Sequence, residues 1–184
     1  MSALGNEFGL AWGLPQIILL FVAAQRVIEL GIAKHNAAPL LSEGGQELGA
    51  RHYPLFVLLH GGWLLALFLL VPASAPVHHW LLGVFCLLQV GRIWVIASLG
   101  RYWTTRVITL PDVPLIRRGP YRYLRHPNYL VVTLEIAVLP LAFGAWELAL
   151  VFSGLNAALL FLRLRVENAA LAPRPRQELA SSGD

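Results

Sequence analysis

The sequence predicts an all-α protein whose chain crosses a membrane about five times. Hydrophobic residues make up 57% of the 184 residues and charged residues 13%, against roughly 45–50% and 25% in soluble domains. The mean hydropathy is +0.63. Apolar runs near the length of about 20 residues that crosses a bilayer as a helix alternate with short polar segments. The length is that of one domain, which we assign to residues 1–171.

Five apolar runs are the predicted membrane spans, at residues 10–33, 53–71, 78–99, 129–143 and 146–164. The fourth is short, and Pro140 and Gly144 follow its apolar core, so it predicts a tight helical hairpin with the fifth. Residues 34–52 contain Pro39 and two adjacent glycines and are predicted to form a polar connection. Residues 172–184 carry Pro, Ser and charge with no apolar period, which predicts a disordered tail.

Charged residues inside the predicted spans need partners, because an ion exposed to lipid is costly. Arg26 and Glu29 are three residues apart on one helix face, so they can pair. Arg92 must face protein, a cavity or the interface. Glu135 cannot stay ionised at membrane depth without water or a partner, and an arginine such as Arg92 or Arg163 would be one.

The distribution of positive charge predicts the orientation. Two of the 14 Lys and Arg residues, Arg26 and Arg92, lie well inside spans, and with five spans the other 12, which include Arg163 at the end of the fifth, fall on one side. The positive-inside rule then places the N-terminus outside and the basic loop and C-terminus in the cytoplasm.

The formal net charge is +4, but the basic residues lie at span ends, where they meet anionic lipid headgroups. This location argues against nucleic acid as a partner.

The most polar segment between spans is RRGPYRYLRHPNY, residues 117–129. Each proline biases the residue before it, Gly119 or His126, away from the α region, so the segment is predicted to turn twice. Such a loop can direct Arg, His and Tyr side chains into one concave space. The alternative interpretation is a basic surface loop that contacts lipid phosphates.

A second polar group, RLRVENAAL, ends the last apolar run and is predicted on the same side. Arg163 and Glu167 are four residues apart and share a helix face. By itself this pair is also typical of a salt bridge at a helix end.

GPY, then RHPNY, then an apolar hairpin and Arg-x-x-x-Glu, in this order, resemble the isoprenylcysteine carboxyl methyltransferase family. The resemblance covers residues 92–171 and implies an integral membrane enzyme that uses S-adenosylmethionine. Residues 115–146 look more like a bacterial branch whose members methylate alkylpyrones and related phenolic lipids. The resemblance thus implies a lipophilic acceptor, which enters from the bilayer between helices, and an active site facing the cytoplasm of a bacterial inner membrane.

The resemblance also implies roles for single residues. Arg163 matches an arginine placed toward the substrate, and no metal is implied. The chain departs from the family at Asn168, where a second acidic residue is common, and at Val131, where RHPxY is usually followed by a glycine. The positions that match cofactor-binding residues are Val113, Pro114, Leu115, Ile116, Tyr121, His126, Pro127, Asn128, Tyr129 and Glu167.

The chemistry of S-adenosylmethionine is compatible with these residue types. His126, with loop arginines or backbone N–H groups, suits its carboxylate, and Glu167 suits its ammonium group. Tyr121 or Tyr129 could pack on the adenine or face the sulfonium.

The acceptor decides whether a base is needed. The carboxylate of a prenylcysteine-like compound needs only positioning by a cation such as Arg163. An enolic hydroxyl of an alkylpyrone needs little help, whereas a phenol benefits from a base, for which Glu135 and His126 are the candidates. A buried ion-pair partner is the other interpretation of Glu135.

Two further function classes fit the same residues. A membrane reductase of similar helical architecture would bind NADPH, with Arg117, Arg118 and Arg122 directed at its phosphates. A non-enzymatic scaffold would bind anionic lipid through the basic loop.

Overall fold

A computed structural model describes residues 12–110, 113 and 116–171, with side chains as far as Arg165 in the last helix. Four of its helices, counting the short helical turns that adjoin two of them, are long and apolar enough to cross a membrane, and a fifth apolar helix of 16 residues is shorter. An all-α, polytopic membrane protein is therefore confirmed. The tail predicted at 172–184 lies outside the described residues. The helices are α1 (Leu14–Ser42), α2 (Tyr53–Leu70), α3 (His79–Leu99), α4 (Pro127–Ala142) and α5 (Trp146–Leu171).

Helix α1 is longer than predicted. It continues to Ser42, so the prediction of a polar connection over residues 34–52 is wrong for its first nine residues. The side chain of Asn36 donates hydrogen bonds to the carbonyl oxygens of Trp103 and Gly100, at 2.8 and 3.3 Å, and so fixes the added turns against the end of α3. The helix extends beyond the end of the apolar run, because one of its faces stays buried through Ala33, Ala37 and Leu40.

The fold also contains a small antiparallel sheet that the sequence did not predict. Strand β1 (Gln46–Leu48) pairs with β2 (Val107–Thr109), and Glu47 lies opposite Ile108. The sheet joins the segment between α1 and α2 to the segment that leads toward residue 113.

The apolar core lies between the helices, and much of their outer surface is apolar as well. Trp63, Leu67 and Leu139 are among the fully buried side chains. Phe21 and Leu87, in contrast, are each 71% exposed. Exposed apolar surface on this scale would be unfavourable in water, whereas hydrocarbon surrounds it without cost. This distribution is that of an integral membrane protein.

The predicted hairpin is confirmed. Helix α4 begins at Pro127, a favoured first-turn residue, and α5 follows after a three-residue turn. Gly144 in that turn has a φ of +71°, which glycine adopts without steric cost. The N–H of Ala145 donates to the carbonyl oxygen of Pro140 at 3.0 Å.

The basic loop is fixed against the end of α3, and its two predicted turns are present. A short 3-10 turn covers Gly119–Arg122, and α4 then starts after His126. Gly119 has a φ of +57°, and a Cβ there would collide with the Ser98 hydroxyl. Arg118 Nε donates to the Ser98 carbonyl oxygen at 2.5 Å.

The charged residues inside the spans form one buried network between α1, α3 and α4. Arg92 binds Glu29 through Nε and Nη2, at 2.7 and 2.6 Å, and binds Glu135 through Nη1 at 2.8 Å. Arg26 also contacts both carboxylates, Glu29 at 2.8 Å and Glu135 at 3.1 Å. The predicted Arg26–Glu29 pair and the Arg92 partner of Glu135 are therefore confirmed. Arg163, the other arginine considered for Glu135, contacts different residues.

Two glutamines close this network. Gln89 Nε2 donates to Glu135 Oε1 at 2.8 Å, and Gln25 Nε2 donates to Gln89 Oε1 at 2.9 Å and to Glu29 Oε1 at 3.1 Å. Two arginines and two glutamates cancel in formal charge. We name Gln25, Arg26, Glu29, Gln89, Arg92 and Glu135 the interhelical ion network.

Candidate functional site

The start of α4 arranges two residues of the RHPNY motif. His126 occupies the position just before the helix, and Tyr129 lies in its first turn. Residues three apart at a helix start share a face, and the two rings stack with centroids 5.2 Å apart and planes 13° apart. Pro127, between them, is buried.

Arg163 of α5 lies against this motif. Its guanidinium carbon is 5.4 Å from the centroid of the Tyr129 ring and 5.0 Å from that of Phe56 in α2. Its Nη2 donates to the Thr105 carbonyl oxygen at 2.9 Å. The structure thus brings the polar end of the last span and the RHPNY motif together, and Arg163 also contacts the start of α2.

A narrow cleft opens beside Arg163. Its accessible volume of about 20 Å³ is enough for one water molecule. The Tyr53 hydroxyl in its wall accepts a hydrogen bond from Thr105 Oγ1 at 3.1 Å. The polar and aromatic residues that line it include Glu47, His52, Tyr53, Phe56, Thr105, Arg106 and Arg163. We call this the α2–α5 cleft.

Three buried polar atoms near the motif and the cleft have no hydrogen-bond partner among the described residues. They are Asn128 Oδ1, Arg163 Nε and His52 Nδ1. Most buried polar groups in proteins are hydrogen-bonded, so an unpartnered group calls for a water, ion or ligand. Their positions favour a ligand site around α4, α5 and the start of α2.

The remaining predicted site residues are distributed as follows. Tyr121 lies in the 3-10 turn and Ile116 just before the basic loop, both half-buried. The N–H of Val113 donates to the Leu110 carbonyl oxygen at 3.4 Å. Pro114 and Leu115, and the side chain of Glu167 on α5, lie outside what the structure describes.

Glu135 belongs to the interhelical ion network. It follows Tyr129 by six residues, a rise of about 9 Å along α4. Both of its oxygens accept hydrogen bonds, Oε1 from Gln89 and Oε2 from Arg26 and Arg92. This geometry favours the ion-pair interpretation of Glu135 over the catalytic one.

Sequence reasoning missed the contribution of α2. His52, Tyr53 and Phe56 line the cleft, but the second span reads as an ordinary membrane helix. The one available signal was the polar and aromatic run Arg51, His52, Tyr53 immediately before apolar residues.

Comparison with known proteins agrees with the motif. The sequence profile of the isoprenylcysteine carboxyl methyltransferase family matches residues 81–173. An uncharacterized protein, YpbQ, of Bacillus subtilis is 36% identical over 84% of this chain and 95% of its own length. An uncharacterized protein of Haemophilus influenzae is 25% identical over 82% of this chain and 91% of its own.

No solved structure matches the chain. The matched profile begins two residues into α3 and covers the basic loop, the hairpin and α5, and so includes Tyr129 and Arg163. The chain belongs to the isoprenylcysteine carboxyl methyltransferase family, a family of membrane methyltransferases.

Proposed function

We propose that this protein is an integral membrane O-methyltransferase that uses S-adenosylmethionine and acts on a lipophilic acceptor. The acceptor group is the carboxylate of a prenylcysteine-like compound or the enol or phenol hydroxyl of an alkylpyrone-like lipid. The observation that carries the proposal is the contact of Arg163 with Tyr129 of the motif on the one hand and with the α2–α5 cleft on the other.

The residues present fit this cofactor. When bound, S-adenosylmethionine supplies an electrophilic methyl group on a cationic sulfur. Asn128 Oδ1, buried and without a partner among the described residues, would accept from a donor of the cofactor. His126 would bind its carboxylate, Glu167 its ammonium group, and the face of Tyr129 its adenine or cationic sulfur. Val113, Pro114, Leu115, Ile116 and Tyr121 would line the same site.

The main task of the chain is to place the acceptor oxygen in line with the methyl group. The acceptor oxygen gains a C–O bond as the C–S bond breaks, and the electron pair of that bond stays on sulfur. A carboxylate loses no proton, and Arg163 orients it. A phenol needs a base, and both oxygens of Glu135 already accept hydrogen bonds within the ion network. For such an acceptor we propose His126 as the base, and the cofactor carboxylate is then held by loop arginines and backbone N–H groups.

The proposed location is a bacterial inner membrane, with the active site facing the cytoplasm. The bacterial relatives support the first part. For the second, Arg101, Arg106, Arg118 and Arg163 lie at the end of the helix bundle that carries the motif, whereas residues 71–78 between α2 and α3 contain no Lys or Arg. A lipophilic acceptor then reaches the site laterally from the bilayer.

Calorimetric titration of the detergent-purified protein with S-adenosylhomocysteine tests the proposal. We expect micromolar binding that His126→Ala abolishes and that His79→Ala, an exposed histidine at the far end of α3, leaves unchanged. Absence of binding in folded protein would overturn the proposal. NADPH is titrated in parallel, because tight NADPH binding would favour the reductase alternative; Arg118, one of its three candidate cations, donates to the Ser98 carbonyl oxygen instead.

A further inference from the structure

We infer that one oxyanion oxygen of the acceptor binds in the α2–α5 cleft, and that His52 joins Arg163 in recognising it. The inference rests on the proposed methyltransferase function and adds to it a recognition residue, His52, from the part of the chain before the family match. It also commits to an acceptor that is anionic when it binds.

The balance of charge in the cleft favours an anion. Arg106 is paired with Glu47 at 3.0 Å. Arg163 is half-buried and forms no ion pair with any carboxylate among the described side chains. An opposite charge stabilises a cation that is partly removed from water. The cleft therefore offers a place for one negative group from a ligand.

The buried nitrogen atoms indicate how that group is held. His52 Nδ1 and Arg163 Nε are both inaccessible to solvent and both lack a partner among the described residues. Both residues line the same cleft. An N–H at each position can donate to an oxyanion, and hydrogen bonds to an ionised acceptor are about twice as strong as neutral ones.

The size and position of the cleft fit one oxyanion oxygen of a head group. About 20 Å³ is room for a single water-sized group such as one carboxylate oxygen. Phe56, which packs on the Arg163 guanidinium, belongs to α2, where Leu55 and Leu58 are exposed toward the bilayer side of the helix. One oxygen of the head group can thus lie in the cleft while the apolar chain stays in the membrane.

The test is a set of binding titrations with S-adenosylhomocysteine present and absent. The probes are N-acetyl-S-farnesylcysteine, a 4-hydroxy-6-alkyl-2-pyrone, and the methyl ester or ether of each as the matched neutral compound. We expect at least one acid to bind the wild-type protein about 10- to 100-fold more tightly than its neutral partner, the range for a hydrogen bond to a charged group.

Two substitutions at His52 separate recognition from packing. The amide nitrogen of His52→Asn can stand near the position of Nδ1, so this variant should keep acid binding within about threefold, whereas His52→Phe should lose about tenfold or more. If His52 has a purely structural role, His52→Phe should bind the acid more tightly than His52→Asn, because Phe keeps a ring at this position and Asn does not. His79→Phe is the control and should leave acid binding unchanged.

Three results would overturn the inference. They are equal binding of acid and neutral partner, no binding of either acid, and better binding by His52→Phe than by His52→Asn. S-adenosylhomocysteine affinity should be the same in wild type, His52→Asn and His52→Phe. If the wild-type protein does not bind S-adenosylhomocysteine, that result counts against the proposed function. The acceptor titrations made without S-adenosylhomocysteine still decide whether the oxyanion binds in the cleft.

Discussion

Arg163 is the residue on which the site converges. Its guanidinium group contacts an aromatic ring from α2 and one from α4, and it donates to a backbone carbonyl of the segment after α3. Cation–π contacts contribute roughly 0.5–2 kcal/mol each, depending on desolvation. These contacts fix the side chain before any ligand arrives, as positioning of an acceptor requires.

Replacement of Arg163 by Ala should therefore reduce turnover more than cofactor affinity. A loss of alignment on the order of 1 Å can cost about 100-fold in rate, and we expect kcat to fall by about that factor while the Kd for S-adenosylhomocysteine changes little. Arg165→Ala is the matched control, because Arg165 is exposed and contacts Phe161 of its own helix. A large loss of S-adenosylhomocysteine binding with near-normal kcat would reassign Arg163 to the cofactor.

At the residue scale, the order of motifs in the sequence was sufficient to predict that His126, Tyr129 and Arg163 lie at the same end of the bundle. It was not sufficient to find His52 and Phe56. Phe56 contacts Arg163, and His52 lines the same cleft, although both lie more than 100 positions away from it in the chain. No local period or motif reports such packing. Glu135 was found as a buried carboxylate, but its partners became known only from the way α1, α3 and α4 pack.

At the scale of elements, the interhelical ion network joins α1 and α3 to the first helix of the hairpin. Glu135 of α4 accepts from Arg26, Arg92 and Gln89, so Glu135→Gln would leave two buried arginines facing one carboxylate. Breaking a buried ion pair by removing one partner costs about 3–5 kcal/mol. We expect a clearly lower unfolding temperature in detergent for this variant.

The control for this substitution is Glu147→Gln, in the exposed first turn of α5, which should unfold near the wild-type temperature. The catalytic interpretation of Glu135 makes a different prediction. It requires that Glu135→Gln keep wild-type stability and lose kcat, so measuring both quantities on one preparation separates the two roles.

The boundaries of α2, α3 and α4 and the start of α5 follow from the apolar runs to within one or two residues, because lipid imposes both length and composition on a span. Helix α5 continues to Leu171, beyond its apolar run. The end of α1 does not follow, since Lys34, His35 and Asn36 make its last turns look polar while a buried face continues beneath them. Strands β1 and β2 have three residues each. Such strands are too short for alternation to be recognised.

At the scale of the whole molecule, charge is distributed asymmetrically between the two ends of the bundle. The segment 71–78 between α2 and α3 has no Lys or Arg, while the opposite end carries ion pairs such as Arg101–Glu43 and Arg106–Glu47. Topology follows the excess of Lys and Arg, to which acidic residues contribute little. The motif and the α2–α5 cleft are therefore expected to face the cytoplasm.

Single-cysteine labelling can check this orientation. The one native cysteine, Cys86, is exposed on α3, so each test variant is built on Cys86→Ala. Ser74→Cys, between α2 and α3, should react with a membrane-impermeant maleimide in right-side-out vesicles, whereas Ser42→Cys, at the end of α1, should react only in inverted vesicles or after detergent is added. Both serines are exposed, so a difference between them reports the side of the membrane and not burial. The opposite labelling pattern would place Arg163 and the motif outside, away from the cofactor supply, and would contradict both the positive-inside assignment and the proposed reaction.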